Sequence, residues 1–199
     1  MLPPSLQKLA NAIEDLPGIG PRQAIRIAFW LTGRNRKTLL ALETAIKNMQ
    51  GVKTCVECSL PFENGGATCA ICGNPERDPN SILIVEKETD LFSIEQIGTY
   101  RGRYAIMGSL GRLGVMEEWQ INRLAALKQR LSKLPNGKAA EIIVGVSPSA
   151  QGDVLYDILV RELSASAGKI TRLGRGLPTG GDIEFADPDT LEGALQNRK

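Results

Sequence analysis

Histidine does not occur in these 199 residues. Its absence removes the commonest general base near neutral pH and every nucleophilic site of the Ser-His or Cys-His kind. An enzyme built on this chain has to rely on carboxylates, lysines, a metal or a cofactor. There is no G-x-x-x-x-G-K-[ST] sequence, which excludes a complete P-loop nucleotide site. Met1-Leu2-Pro3-Pro4-Ser5 lacks the basic segment and apolar run of a signal peptide, and no stretch nears the roughly 18 apolar residues of a membrane span. A cytoplasmic protein with no membrane partner is expected. Net charge is scarce as well, at +2, and by itself advertises no polyanion.

The four cysteines form two C-x2-C pairs, Cys55/Cys58 and Cys69/Cys72, with ten residues between them. Each pair in a tight turn aims two thiolates at one point, and two pairs complete the tetrahedral sulfur shell that Zn²⁺ prefers in structural sites. Pro61, Asn64, Gly65 and Gly66 supply turn formers for folding back on a metal. Two disulfides are the rival reading, but nothing marks a secreted chain. With four protein ligands there is no position for water or substrate, so the expected Zn²⁺ is structural. It stabilises a segment too short to bury its own core.

Charge is unevenly placed. Residues 1–53 hold eight Lys and Arg against three Asp and Glu, and the excess surrounds Leu16-Pro17-Gly18-Ile19-Gly20-Pro21-Arg22. Apolar residues recur at three and four on both sides (Leu6, Leu9, Ala10, Ile13; then Ala24, Ile25, Ala28, Leu31), which predicts helix, hairpin, helix. Gly18 and Gly20 allow backbone angles closed to other residues, and Pro21 suits the first position of a new helix. Exposed amides at that positive helix end, flanked by Arg22 and Arg26 one turn apart, make an anion site suited to a DNA phosphate. Contacts of that kind read no bases, so binding is expected to be sequence-independent and salt-sensitive. The plain alternative is a tight turn with solvated arginines. Phe29, Trp30 and Trp119 can stack on bases, although packing on a helix face is the commoner fate.

A third helix is expected to carry Leu39, Leu42, Ile46 and Met49 on one face. After the cysteines the pattern changes. Ile82–Val85, Tyr104–Met107, Ile142–Val146 and Ile170–Leu173 read as strands, and Asp90–Ile97, Glu117–Leu134 and Val154–Ala167 as the helices between them. That alternation predicts an α/β layer with a mostly parallel sheet.

The hairpin tract with Ala24, Arg26 and Ala28, the four cysteines, the strand ending in Glu86, and the tail Gly176-Leu177-Pro178-Thr179-Gly180-Gly181-Asp182 through Thr190-Leu191 resemble, in this order, the RecR family of bacterial recombination mediators. The resemblance covers nearly the whole chain. It implies an α/β multidomain protein: a helix-hairpin-helix domain (1–53), a four-cysteine zinc finger (54–78), a Toprim domain with a Rossmann-like, mostly parallel sheet (79–175), and a Walker-B-like oligomerisation tail (176–199). It also implies a cytoplasmic, nucleoid-associated mediator without enzymatic activity. Such a protein forms dimers or tetramers and works with RecO and RecF to help load RecA on gapped or single-stranded DNA. By motif match, Gly18, Gly20, Arg22 and Arg26 take the DNA-contacting positions, Glu86 the Toprim acidic position, and Asp90 lies four residues on.

The chain departs from the family at Tyr104-Ala105-Ile106-Met107, where a histidine is usual, and at Gln151, where an acid implicated in partner binding is usual. The alternative function is a Mg²⁺-dependent Toprim nuclease or topoisomerase. Such enzymes need a Glu after the first strand and an Asp-x-Asp after a later one, to hold the metal through phosphoryl transfer. Here the later strand runs into Ser147-Pro148-Ser149, whose hydroxyls are poor ligands for a hard cation, leaving Glu86 and Asp90 as a weak Mg²⁺ candidate or a partner-binding pair. Their bland reading is an acid pair on a solvated helix start. Asp153 is expected to open the next helix, and the acidic tail (Asp182, Glu184, Asp187, Asp189) to serve as an oligomer contact or docking surface.

Overall fold

The computed structural model describes residues 2–63, 65–111, 113–174 and 176–198. The expected boundary at 175 and both chain ends lie outside them. Contacts divide the chain into two units, one ending at Val52 and one beginning at Lys53.

The first unit holds three helices: α1 (Pro4–Glu14), α2 (Pro21–Thr32) and α3 (Arg36–Asn48). Its core is built from small residues. Ala10 on α1 meets Ala24 and Ala28 on α2, with Leu6, Ile13, Ile19 and Ile25 packed around them, so the two helices approach closely. The alanines buried at 24 and 28, with Leu31, set one face of α2 inward. By the same periodicity Arg22 and Arg26 face out. Helix α3 begins at Asn35, whose side chain accepts from Thr38 N–H at 2.9 Å. The apolar face expected on it forms and stays largely open: Leu39, Leu42 and Ile46 are exposed on α3, and so is Met49 in the short 3-10 turn Met49–Gly51 that follows.

In the second unit a two-stranded ladder, β1 (Lys53–Thr54) with β2 (Pro61–Phe62), leads to a four-stranded sheet. Its strands are β3 (Asp78–Val85), β4 (Gly102–Ile106), β5 (Ala139–Gly145) and β6 (Ala167–Arg172). They lie in the order β4-β3-β5-β6, and every pair is parallel. Successive side chains on a strand point to opposite faces. Ile82 and Ile84 on β3, with Ile142 and Val144 on β5, therefore face α5 (Glu118–Leu131) and α6 (Ala150–Leu163), where Leu124, Leu127, Leu131, Leu155, Leu159 and Leu163 are buried. On the other face Leu83, Val85, Tyr104 and Ile106 pack against Leu91 of α4 (Glu88–Ile97) and against all four cysteines. The cysteine segment is thus half of one covering layer and shares a core with the sheet. The tail closes with α7 (Pro188–Gln196), capped by Asp187, which accepts from Thr190 N–H at 2.9 Å.

Several elements begin earlier than expected. Strand β3 starts at Asp78, four residues before the expected Ile82, and helix α6 starts at Ala150 with Ser149 as its cap, ending at Leu163 instead of 167. Asp153 falls in the first turn of α6 and pairs with Arg172 at 2.6 Å.

Candidate nucleic-acid interface and metal centre

The hairpin joining α1 to α2 is set by local bonds: Leu16 N–H donates to Ile13 and Ile19 N–H to Leu16, at 3.1 Å each. Gly18 sits at φ +79°, a left-handed conformation that requires glycine. The expectation for Gly20 needs correcting. Its φ is −91° and ψ 171°, extended backbone open to any residue. A Cβ at 18 or 20 would meet no atom within 4 Å, so the surface over both glycines is open. Pro21 opens α2 as expected, and no side chain caps the helix. The first-turn amides of Arg22 and Gln23 have no intrahelical acceptor and point beyond the helix end. Arg22 and Arg26 are exposed beside them. The arrangement offers amides, a helix dipole and two exposed cations to one anion. Phe29 and Trp30 do not pack as expected: they are 52 % and 54 % exposed, with the Arg34 guanidinium 4.1 Å from the Trp30 ring centroid. Trp119, 42 % exposed, carries Arg123 at 4.8 Å.

Cys55, Cys58, Cys69 and Cys72 converge so that their Sγ atoms lie within 4.8 Å of one another, all buried and none in a disulfide. Cys58 and Cys69 are 3.6 Å apart. Tetrahedral zinc with Zn–S bonds of about 2.3 Å requires sulfur separations of about 3.8 Å, so the cluster has the right size for that ion. Two matching turns shape it, with Ser59 N–H donating to Cys55 O and Gly73 N–H to Cys69 O, at 2.9 Å each. Cys69 N–H donates to Cys55 Sγ at 3.3 Å, as thiolate ligands commonly demand. Without a cation two of the thiols resist ionising: the contact with Cys58 and burial hold Cys72 well above the usual thiol range, and burial pushes Cys69 up, whereas hydrogen bonds from backbone amides, that of Cys69 among them, bring Cys55 down against its burial. A bound dication reverses that balance. Around the centre, Glu57 lies between Arg103 at 3.1 Å and Arg130 at 3.6 Å, and Arg130 donates to the Glu57 and Tyr104 carbonyls. Reading the cysteine spacing alone missed these braces, which only the fold brings together.

Glu86 and Asp90 occupy different environments. Asp90 is a helix-start acid, accepting from Lys87 N–H at 2.8 Å. Glu86 is not on a solvated edge. It is buried at 6 % exposure at the end of β3, where its carboxylate accepts from Ser109 Oγ–H and from Ser147 N–H, each at 2.6 Å. These partners follow β4 and β5, so one carboxylate ties three strand ends together at the point where the strand order reverses. Fully buried Gln120 supports the same loop, donating to the carbonyls of Met107, Gly108 and Ser109 while accepting from Glu117 N–H. Its capping signal, a polar residue three positions after Glu117, was readable in the sequence but passed over. Gln151 lines the crevice of about 180 Å³ above Glu86, with Lys87 and Ser149. Among the described residues the four cysteines are the one group of three or more His, Cys, Asp or Glu side chains placed to hold a metal; no such acidic group includes Glu86. Glu86→Ala leaves the Ser147 amide unpaired and is expected to destabilise the chain by about 2 kcal/mol, lowering the melting temperature by roughly 4–8 °C, with DNA affinity unchanged. Thermal denaturation alongside a binding titration checks both halves.

Comparison with known proteins bears on all these parts. Residues 6–50 match the RecR helix-hairpin-helix family, 80–174 the Toprim domain, and 176–199 the RecR C-terminal family. The chain is 36% identical over 200 residues to the "Recombination protein RecR" of Roseiflexus sp. (strain RS-1), covering 100% of this chain and 95% of that one. To the protein of the same name from Bifidobacterium animalis subsp. lactis (strain AD011) it is 37% identical over 196 residues, covering 98% and 96%. The Chloroflexus aurantiacus (strain ATCC 29366 / DSM 635 / J-10-fl) protein is 36% identical over 194 residues, covering 96% and 92%.

Proposed function

This chain belongs to the RecR family of recombination proteins, and from that membership we propose that it is a non-enzymatic, DNA-binding mediator of recombinational repair. In this reading it grips the sugar-phosphate backbone with the hairpin amides and with Arg22 and Arg26, works with RecO and RecF proteins, and helps to load RecA on gapped or single-stranded DNA. The observation that carries it is the uncapped start of α2: amides, open glycines and exposed arginines presented together, with no side-chain cap among the described residues.

The ion held by the four cysteines is Zn²⁺ in a structural role, since four thiolates leave no open coordination position. The exposed apolar face of α3 and of the turn after it supports assembly into dimers or tetramers, because Leu39, Leu42, Ile46 and Met49 are exposed large apolar residues of a kind that soluble monomers seldom leave bare in a patch. No helix among the described residues is long and apolar enough to cross a membrane, and a cytoplasmic, nucleoid-associated location fits a repair mediator. Glu86 holds strand ends together in place of binding Mg²⁺, and partner docking at this end of the sheet falls to rim residues such as Lys87 and Gln151.

Incubating the purified protein with supercoiled plasmid and Mg²⁺, and with labelled oligonucleotides at low salt, tests the reading. The expected result is retained oligonucleotide with the plasmid left supercoiled. Nicking or relaxation that follows the protein through purification favours the Mg²⁺-dependent Toprim enzyme instead.

A further inference from the structure

Arg22, Arg26 and Trp30 recur at intervals of four on α2, so they lie along one side of the helix over about 12 Å. All three are exposed, while Ala24, Ala28 and Leu31 face the core. Trp30 keeps 54 % of its surface open, and Gln23, Arg26, Ile27 and Trp30 line a shallow depression of about 210 Å³. Beyond the end of α2, Arg34 folds back: its Nε donates to Trp30 O at 3.3 Å, and its guanidinium lies over the indole at 4.1 Å. Those contacts fix the ring and set cations on both sides of it along the chain. An indole this large and this bare, with the Arg34 guanidinium over it and Arg26 one turn before it on the same side of the helix, has the composition of a base-stacking platform.

We propose that Trp30 is a stacking site for one unpaired base of single-stranded DNA, set two helical turns from the phosphate anchor at the hairpin. The inference rests on the DNA-binding reading above and adds what the hairpin lacks. Phosphate contacts are shared by duplex and single strands, whereas an aromatic face takes only a base released from its own stack. Trp30 is thus the residue that tilts a sequence-blind grip toward single strands. Phe29 and Trp119 do not share the role: the first is off the arginine stripe, and the second belongs to the other unit, where its Nε1–H donates to Glu117.

The test uses the full chain carrying Trp119→Phe, which leaves Trp30 as the one indole. Titration with an oligo(dT) strand is expected to quench its emission to saturation, while a duplex of equal length binds without that change. In the otherwise unaltered chain, Trp30→Ala is expected to weaken oligo(dT) binding about 5- to 100-fold and to leave duplex binding within about twofold. Trp30→Phe should recover part of the loss. Unchanged oligo(dT) affinity in Trp30→Ala, with wild-type protein still binding, overturns the inference and spares the DNA-binding reading. Emission that moves with protein concentration alone also overturns it, because it marks a face covered by a second copy. Wild-type protein that binds neither DNA at low salt removes the underlying reading and the inference with it.

Discussion

Cys58→Ser is expected to unfold the sheet unit rather than loosen one loop, with soluble yield collapsing or the melting temperature falling by more than 10 °C. The size of the effect follows from what the cysteine segment covers. Apparent binding free energies of structural zinc in small fingers are about 10–16 kcal/mol, comparable with the entire stability of a domain. In this protein the same segment closes one face of the sheet, over Leu83, Val85, Tyr104 and Ile106. It also pairs the outer edge of β4, where Ile106 N–H donates to Cys58 O at 2.9 Å. When it loosens, an apolar sheet face and an unpaired strand edge meet water at once, and the half-buried Arg103 and Arg130 lose Glu57. Thermal melts of the variant, with the metal content of the wild type measured by mass, check this. A variant melting within 2 °C of the wild type, at roughly 2–4 °C per kcal/mol, would mean that the cluster carries little of the fold's stability.

The second large effect is on binding. The double substitution Arg22→Ala with Arg26→Ala is expected to lower affinity for DNA on the order of 10- to 100-fold at low salt, uniformly across sequences. It should also flatten the salt dependence of single-strand binding by about 1.4 in log–log slope, about 0.7 for each phosphate contact removed. Both side chains are exposed, so the fold should be untouched and the loss read as contact alone. Equilibrium titrations at several salt concentrations separate the two quantities. Unchanged affinity would favour a zinc-bearing structural subunit that touches only protein.

The parts legible in the sequence are those encoded by near neighbours. The cysteine spacing, the Pro-Gly-x-Gly-Pro hairpin and the leucine periodicities of α5 and α6 each carry their geometry within a few residues. Strand β3 was read four residues short because Asp78 to Ser81 are polar. They join the strand by pairing, with Asp78 N–H donating to Arg101 O at 3.0 Å and Ser81 in register with Glu141, and burial has little part in it. The first turn of α6 was hidden by Gly152. That glycine is needed because Ser147 O comes so near that a Cβ would lie 2.0 Å from it.

What was not legible depends on distant partners. Nothing around Cys55 to Cys72 announces that their loop will lie on β4, or that Arg130, more than seventy residues from Glu57, will brace it. Glu86 reads as a surface acid until Ser109 and Ser147 arrive from two other strand ends. Trp30 shows the converse. Its place in an apolar helix suggested packing, but Ala24, Ala28 and Leu31 take the buried face of α2, and the ring stays outside.

The most direct measurement is the affinity of the wild-type protein for two single strands of unrelated sequence, followed from low to moderate salt. The account predicts equal affinities that fall together, with a log–log slope of about −1.4 or steeper, as two or more phosphate contacts require. A strong preference for one strand, or an affinity indifferent to salt, would contradict the claim that exposed amides and guanidiniums hold the backbone.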